Sequence, residues 1–129
     1  MAPEASIPAH VLRFVEVNID TVPQLETLLM LSQAEDRSWL IADVAAHNFI
    51  TEQRAEETLN ALHRRGLVSA EEAPLRFRFS PANDEMRALV AEVSRCYQSN
   101  LSRIATFIHS KGSGSVKEFA RAFDLKKDR

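Results

Sequence analysis

The residue types that could support catalysis or hold a metal are scattered along this sequence. The four histidines, His10, His47, His63 and His109, fall in different segments and form no spacing typical of a metal site. Cys96 is a single cysteine, which excludes an internal disulfide. There is no glycine-rich phosphate loop, no readable Ser/His/Asp or Cys/His set and no paired carboxylate in an apolar setting. We therefore expect no enzymatic activity, no metal and no cofactor.

The chemistry that remains is hydrogen bonding and charge, and one short stretch concentrates it. Residues 51–57, TEQRAEE, carry Glu52, Glu56 and Glu57 against a single basic residue, Arg54. Such a surface suits an ordinary solvated helix face or a basic partner, and it opposes contact with a polyanion. The sequence leaves both possibilities open.

A second stretch, LRFRF at 75–79, alternates with period two, which predicts a strand with one buried and one charged face. The charged face carries Arg76 and Arg78. Together with the extended residues that follow Gly66, the LRFRF stretch predicts a two-stranded hairpin over 67–80. The predicted buried face consists of Leu75, Phe77 and Phe79.

Helical periodicity accounts for most of the remaining chain. Ala55, Leu59 and Leu62 recur at helical spacing, Thr51 is a good N-cap and Gly66 a good C-terminal stop for one helix. Residues 8–18 also suit a strand because of their β-branched valines, but their apolar spacing favours a helix. The predicted helices are 8–18, 22–34, 39–47 with Ser38 as its N-cap, and 52–65.

A long helix is predicted over 83–110, spanning about 40 Å. Its apolar stripe is longer than a domain this small can cover by itself, which favours a dimer interface, although the N-terminal helix could instead fold back along it. A linker at 111–115 and a short amphipathic basic helix within 116–129 follow. The stripe consists of Met86, Val90, Val93, Tyr97, Leu101, Ile104 and Ile108.

The order helix, helix, short turn, helix, hairpin is that of a winged helix-turn-helix domain. We expect a mainly α protein with a three-helix core and a two-stranded β-hairpin wing in residues 1–80, followed by the long C-terminal helix. The stretch WLIADVAAHNFITEQRAEETLNALHRRGLV, followed by LRFRF, resembles the winged-helix region of bacterial transcriptional regulators similar to the MarR group.

This resemblance implies a homodimer that binds double-stranded DNA. By position it implies that residues at the start of the third core helix face the bases and that wing arginines contact the DNA backbone or minor groove. Gln53 and Arg54 carry groups that suit adenine and guanine edges. The implied base-facing residues are Thr51, Gln53, Arg54 and Glu57, and the implied wing residues are Arg76 and Arg78.

Composition and charge set limits on this interpretation. The chain has 129 residues and a net charge of −2, with no signal-peptide pattern and no membrane-length apolar run, so we expect one cytoplasmic domain. Residues 95–129 hold 8 Lys/Arg and 3 Asp/Glu, whereas residues 1–94 hold 8 and 15. The basic end is either ordinary variation or a surface for an acidic partner, a second subunit or phosphate. The alternative function is a winged-helix module that binds a basic protein and does not bind DNA directly.

Overall fold

The computed structural model describes residues 7–112, with side chains to residue 110, as helices and one small sheet. The predicted mainly helical winged fold is confirmed. The helices are α1 (Ala9–Asn18), α2 (Val22–Ser32), α3 (Ile41–Asn48), α4 (Glu52–Arg64), α5 (Asp84–Ser99) and α6 (Leu101–Gly112). The strands are β1 (Trp39–Leu40), β2 (Val68–Glu71) and β3 (Arg76–Phe79). The predicted tail helix in 116–129 and most of the predicted linker lie outside the described residues.

The helix α2 lies at the centre and packs against α3, α4, α5 and α6. Its N-cap is Thr21, whose hydroxyl oxygen accepts a hydrogen bond from the Gln24 amide at 3.1 Å. From α2 the core extends to α4, where Ala55, Leu59 and Leu62 are completely buried, as their spacing predicts. The three-helix core therefore has a continuous apolar interior on which α4 is fixed.

Gly66 turns the chain from α4 into the hairpin. Its φ of +74° is in the left-handed region, where glycine has no Cβ penalty. The Leu67 amide donates to the Leu62 carbonyl and the Gly66 amide to the His63 carbonyl, each at 3.1 Å. This pair of bonds is a Schellman cap. It directs Leu67 and Val68 into the core at the start of β2.

The sheet has three strands in the order β1-β3-β2, all antiparallel, where the sequence predicted two. The additional strand consists of Trp39 and Leu40, which were expected to begin a helix after a Ser38 N-cap. Trp39 instead pairs with Phe77, is 2% exposed and belongs to the apolar core. The helix α3 consequently begins at Ile41, and no side chain caps it.

Leu75 is the second difference in this region. Alternation predicted that it would point inward with Phe77 and Phe79, but it precedes β3 in the connection between β2 and β3 and is 38% exposed. Strand pairing stops at Glu71 and Arg76, so the alternation that orients the two phenylalanines does not extend to Leu75. Phe77 and Phe79 are buried as predicted.

The single long helix predicted over 83–110 is divided at Asn100. This residue leaves the helical region at φ −134° and ψ 39°, and its side-chain amide donates to the Cys96 carbonyl at 3.1 Å. Short polar side chains that bond to the backbone compete with helical hydrogen bonds, which explains the break. The change of direction brings Ile104 and Ile108 of α6 into the core, where both are completely buried.

Both α1 and α2 pack along α5 and α6, so the chain covers most of the long apolar stripe itself. A hydrogen bond of 2.8 Å between His10 and Glu92 joins α1 to α5 at the surface. Nearer the core, the Tyr97 hydroxyl donates to Glu26 of α2 at 3.1 Å. Burial, with the nearby Glu26 carboxylate, raises the pKa of Tyr97 to about 12. In the part of the chain that the structure describes, no helix is long and apolar enough to cross a membrane.

Candidate nucleic-acid interface

The two helices of the helix-turn-helix are α3 and α4, joined by residues 49–51. Thr51 is the N-cap of α4, and its hydroxyl oxygen accepts from the Arg54 amide at 3.0 Å. Thr58 is also almost completely buried on the inner side of α4, with the apolar residues described above. These contacts fix the rotation of α4 about its own axis. Its rotation then determines which side chains of the first two turns face solvent.

All four residues that the resemblance assigns to base contact lie on this exposed face: Thr51, Gln53, Arg54 and Glu57. The structure therefore brings these four side chains together on one solvent-exposed surface. The Gln53 side-chain amide donates to Glu57 at 3.4 Å, one turn further along the helix. Glu52 and Glu56 are exposed as well, so this surface is as acidic in three dimensions as in the sequence.

The wing arginines lie on one face of the hairpin, and both contact the same carboxylate. Glu71 of β2 lies 2.6 Å from Arg78 and 3.9 Å from Arg76, and its other partner is the Ser38 hydroxyl at 3.0 Å. Its side chain is 33% exposed. The hydrogen bond from Arg78, and then that from Ser38, lower the pKa of Glu71 below the ordinary glutamate value. The cations are therefore ion-paired and lie on the strand rather than at the tip of the wing.

Glu71 was missed as a site residue by sequence reasoning, although a signal for it existed. Arg76 and Glu71 flank a short connection, so a hairpin register would have placed them opposite each other, as they are here. Ser38 could not be found in this way, because its contact with Glu71 depends on β1 joining the sheet. Its interpretation as a helix cap was wrong.

Phe49 was also missed, and it is the most exposed large apolar residue among those described. It is the C-cap of α3 with φ 57° and ψ 44°, and its side chain is 94% exposed. Glycine or asparagine is the usual residue in this left-handed conformation. Neither the backbone nor the core therefore favours phenylalanine here. The side chain lies next to Ile50, Thr51 and Arg54 at the edge of the presented face.

The seven residues predicted for a dimer interface separate into two groups. Met86 is half-buried and Leu101 is 53% exposed. The other five are at most 8% exposed within a single chain and therefore contribute to its own core. This second group is Val90, Val93, Tyr97, Ile104 and Ile108.

Metal binding and thiol chemistry gain no support from the described region. Across residues 7–110, no three His, Cys, Asp or Glu side chains are placed to hold a metal ion. Cys96 is half-buried on α5, and burial raises the pKa of its thiol above the ordinary value. A raised thiol pKa lowers the fraction of reactive thiolate at neutral pH.

Comparison with known proteins supports the fold. Neither the protein-family models nor the curated protein sequences give a match. Among solved structures, the chain is similar to RV1404 from Mycobacterium tuberculosis, with a TM-score of 0.53 and 20% identity over 94% of this chain and 82% of that one. It is also similar to the MarR family transcriptional regulator SPO1453 from Silicibacter pomeroyi, with a TM-score of 0.52 and 18% identity over 92% and 83% of the two chains. The winged helix-turn-helix fold of this chain is therefore that of a solved MarR family transcriptional regulator.

Proposed function

We propose that this chain is a DNA-binding transcriptional regulator that acts as a winged-helix homodimer. The observation that carries the proposal is the exposed start of α4, where Thr51, Gln53, Arg54 and Glu57 face solvent. The helix α4 packs against β2 of the hairpin. In winged-helix proteins this arrangement allows a helix to enter the major groove while the hairpin reaches the neighbouring backbone. The fold shared with a MarR family transcriptional regulator supports the same function.

Within this proposal, Gln53 and Arg54 read base edges. A carboxamide matches the donor and acceptor of adenine, and a guanidinium matches the two acceptors of guanine. The Thr51 hydroxyl already accepts from the Arg54 amide, and its own hydrogen remains available for a phosphate oxygen. Glu57 orients Gln53 through their hydrogen bond or accepts from a cytosine amino group.

The acidic surface determines what kind of DNA binding to expect. Phosphate contacts supply most of the non-specific affinity for DNA, and each contact adds about 0.9 to the slope of log affinity against log salt. Glu52 and Glu56 oppose such contacts, and Glu71 pairs with both wing arginines. We therefore expect weak non-specific binding, few phosphate contacts and an affinity that depends mainly on the base sequence.

The proposed dimer uses surface outside the chain's own core. Leu101 is exposed at the start of α6, and Phe107 lies on the same helix beside a shallow cavity of about 410 Å³. The buried part of the predicted stripe is available to a second copy only if the chain opens. We therefore propose that the exposed part of α6 near Leu101 forms the contact between the two subunits. Light scattering that gave a mass near 14.5 kDa at micromolar concentration would contradict the dimer.

A mobility shift with the DNA upstream of the protein's own gene, at low salt, tests DNA binding. We expect a shift that competitor DNA of unrelated sequence does not remove. Arg54→Ala should weaken the shift, whereas Arg13→Ala removes the same charge from an exposed position on α1 and should not. If low salt gives no shift, the chain does not bind this DNA as proposed.

A second candidate function is a winged-helix module that binds a basic protein. The observation that favours it is the combination of three exposed glutamates on α4 with the pairing of Arg76 and Arg78 by Glu71. In that case Glu52→Lys, Glu56→Lys and Glu57→Lys together should abolish partner binding. Glu52→Lys and Glu56→Lys alone, which lie outside the base-facing set, should strengthen binding to DNA, because they replace repulsion of phosphate with attraction.

A further inference from the structure

An apolar surface surrounds the turn of the helix-turn-helix and has no occupant in the described chain. Phe49, Ile50, Thr51 and Arg54 line a shallow cavity of about 440 Å³. Phe49 is 94% exposed there although its left-handed backbone is unfavourable for a bulky residue. An aromatic side chain that neither packs nor suits its backbone indicates a contact with another segment.

A second cavity of about 440 Å³ adjoins the first, and Arg54 lines both. Its other walls include Val22 and Pro23 at the start of α2 and Ile108 and His109 near the end of α6. The end of α6 therefore lies beside the presented face of α4. Since α6 ends at Gly112, the chain beyond it begins about one turn from this cavity.

The sequence of residues 113–129 has both properties that this surface requires. Its predicted amphipathic helix carries Phe119 and Phe123 on one face. The segment contains five Lys/Arg and three Asp/Glu, whereas the presented face of α4 carries three exposed glutamates. The six residues before Phe119 can span about 20 Å when extended, which is enough to cross two adjoining cavities of this size.

We propose that residues 113–129 dock onto the Phe49–Arg54 surface of their own chain. Phe119 and Phe123 pack against Phe49 and Ile50, and the basic side chains lie along Glu52, Glu56 and Glu57. The contact explains why an exposed phenylalanine and an acidic helix start occur together. It also gives the basic end of the chain a partner within the same molecule.

The docking does not require that DNA be the ligand of this face, but its consequence for DNA binding rests on the proposed function. A docked tail occludes the start of α4, so only undocked molecules bind DNA. The apparent affinity falls by the undocked fraction: if about one molecule in ten is undocked, release of the tail raises the affinity about tenfold.

Paramagnetic broadening in the full chain tests the contact directly. A nitroxide attached at Asp128→Cys in a Cys96→Ser background should broaden the amide signals of Phe49 to Arg54. The amide of Arg87 should remain sharp, because Arg87 lies far from the Phe49–Arg54 surface. It contacts Glu35, just beyond the C-terminal end of α2, whereas the N-terminal end of α2 lines the cavity beside Arg54. Broadening that is absent at residues 49–54, or that is centred elsewhere, would overturn the proposal.

Two variants separate docking from mere proximity of the tail to the end of α6. Phe119→Ser with Phe123→Ser should abolish the broadening, and so should Phe49→Asn, which keeps a residue that tolerates the left-handed conformation. Broadening that survives both variants would overturn the proposal. Broadening of an isotope-labelled chain by a separate nitroxide-bearing chain would also overturn it, because the occupant would then be a second copy.

Mobility shifts with the Phe119→Ser, Phe123→Ser chain keep the two proposals distinguishable. Tighter DNA binding than that of the unchanged chain supports both docking and the proposed function. If the broadening behaves as expected but no variant binds DNA, the docking is supported and the proposed function is wrong.

Discussion

At the scale of single residues, Phe49 and Glu71 are placed against the simplest expectations for their types. A phenylalanine is exposed in a left-handed turn, and a glutamate holds both arginines of the wing. Each lies at the edge of the surface that we assign to ligand binding. Local strain and paired charges are found more often at functional sites than elsewhere, which is why both residues carry predictions.

In the Phe119→Ser, Phe123→Ser background, where the proposed docking is already lost, Phe49→Asn should stabilise the fold by about 0.5–1 kcal/mol, since asparagine tolerates the left-handed conformation better than phenylalanine does. Loss of the phenylalanine side chain costs little packing, because it is 94% exposed. Chemical denaturation followed by circular dichroism measures the change. Phe49→Ala is the matched control: it removes the ring but keeps the backbone penalty, so it should give no comparable gain. In that background, a large loss of stability in Phe49→Asn would show that the ring packs against other residues of the described fold.

The carboxyl group of Glu71 should titrate below the ordinary glutamate pKa, because Arg78 and Ser38 donate hydrogen bonds to its charged form. A lowered folded-state pKa means that its contribution to stability is complete above the unfolded-state value. That contribution is lost as the pH falls through the lower, folded-state value. Carbon-detected NMR titration measures this pKa, and Arg78→Ala should raise it. An unchanged pKa in Arg78→Ala would contradict the ion pair.

At the scale of elements, the sequence predicted those features that local patterns determine. The inner face of α4, the Gly66 stop and the buried phenylalanines of β3 all follow from spacing and turn chemistry. The strand β1 did not, because two residues become a strand only when a distant strand pairs with them. The break at Asn100 was missed for a related reason, since continuous apolar spacing conceals a change of direction between two helices.

The candidate site shows the same limit. The exposed face of α4 could be predicted, because it is the complement of a buried stripe. The pairing of Arg76 and Arg78 with Glu71 requires the hairpin register, and the cavities beside Arg54 require the position of α6. Contacts between segments far apart in the chain therefore account for what the sequence did not show.

Substitutions on α6 distinguish core packing from a subunit interface. Ile104→Ala should destabilise the chain by about 2–5 kcal/mol, because the side chain is completely buried and leaves a cavity. Leu101 is on the same helix but is 53% exposed, so Leu101→Ala should lower the free energy of unfolding of the single subunit by less than about 0.5 kcal/mol. Denaturation of both variants, with light scattering of the folded forms, gives the comparison. If Ile104→Ala dissociates a dimer without lowering the free energy of unfolding, Ile104 belongs to the subunit interface, as the apolar stripe predicted.

At the scale of the whole molecule, charge is distributed against simple attraction to DNA. The chain is acidic overall, its presented helix is acidic, and its basic residues concentrate toward the C-terminal end. A winged helix with this distribution can bind DNA through base contacts if its presented face is free. Two copies would then place their α4 helices about 34 Å apart, one turn of DNA.

The most direct test of the central claim is the dissociation constant for the upstream DNA, measured by fluorescence anisotropy over a range of salt. We compare the unchanged chain with the control Arg13→Ala and with the double variant Gln53→Ala, Arg54→Ala. The double variant removes two base contacts worth about 1–3 kcal/mol each. The predicted result is that the double variant loses at least about thirtyfold in affinity and binds no better than the unchanged chain binds unrelated DNA, whereas Arg13→Ala keeps the affinity of the unchanged chain. Equal affinities for all three chains would contradict the claim that the start of α4 reads DNA.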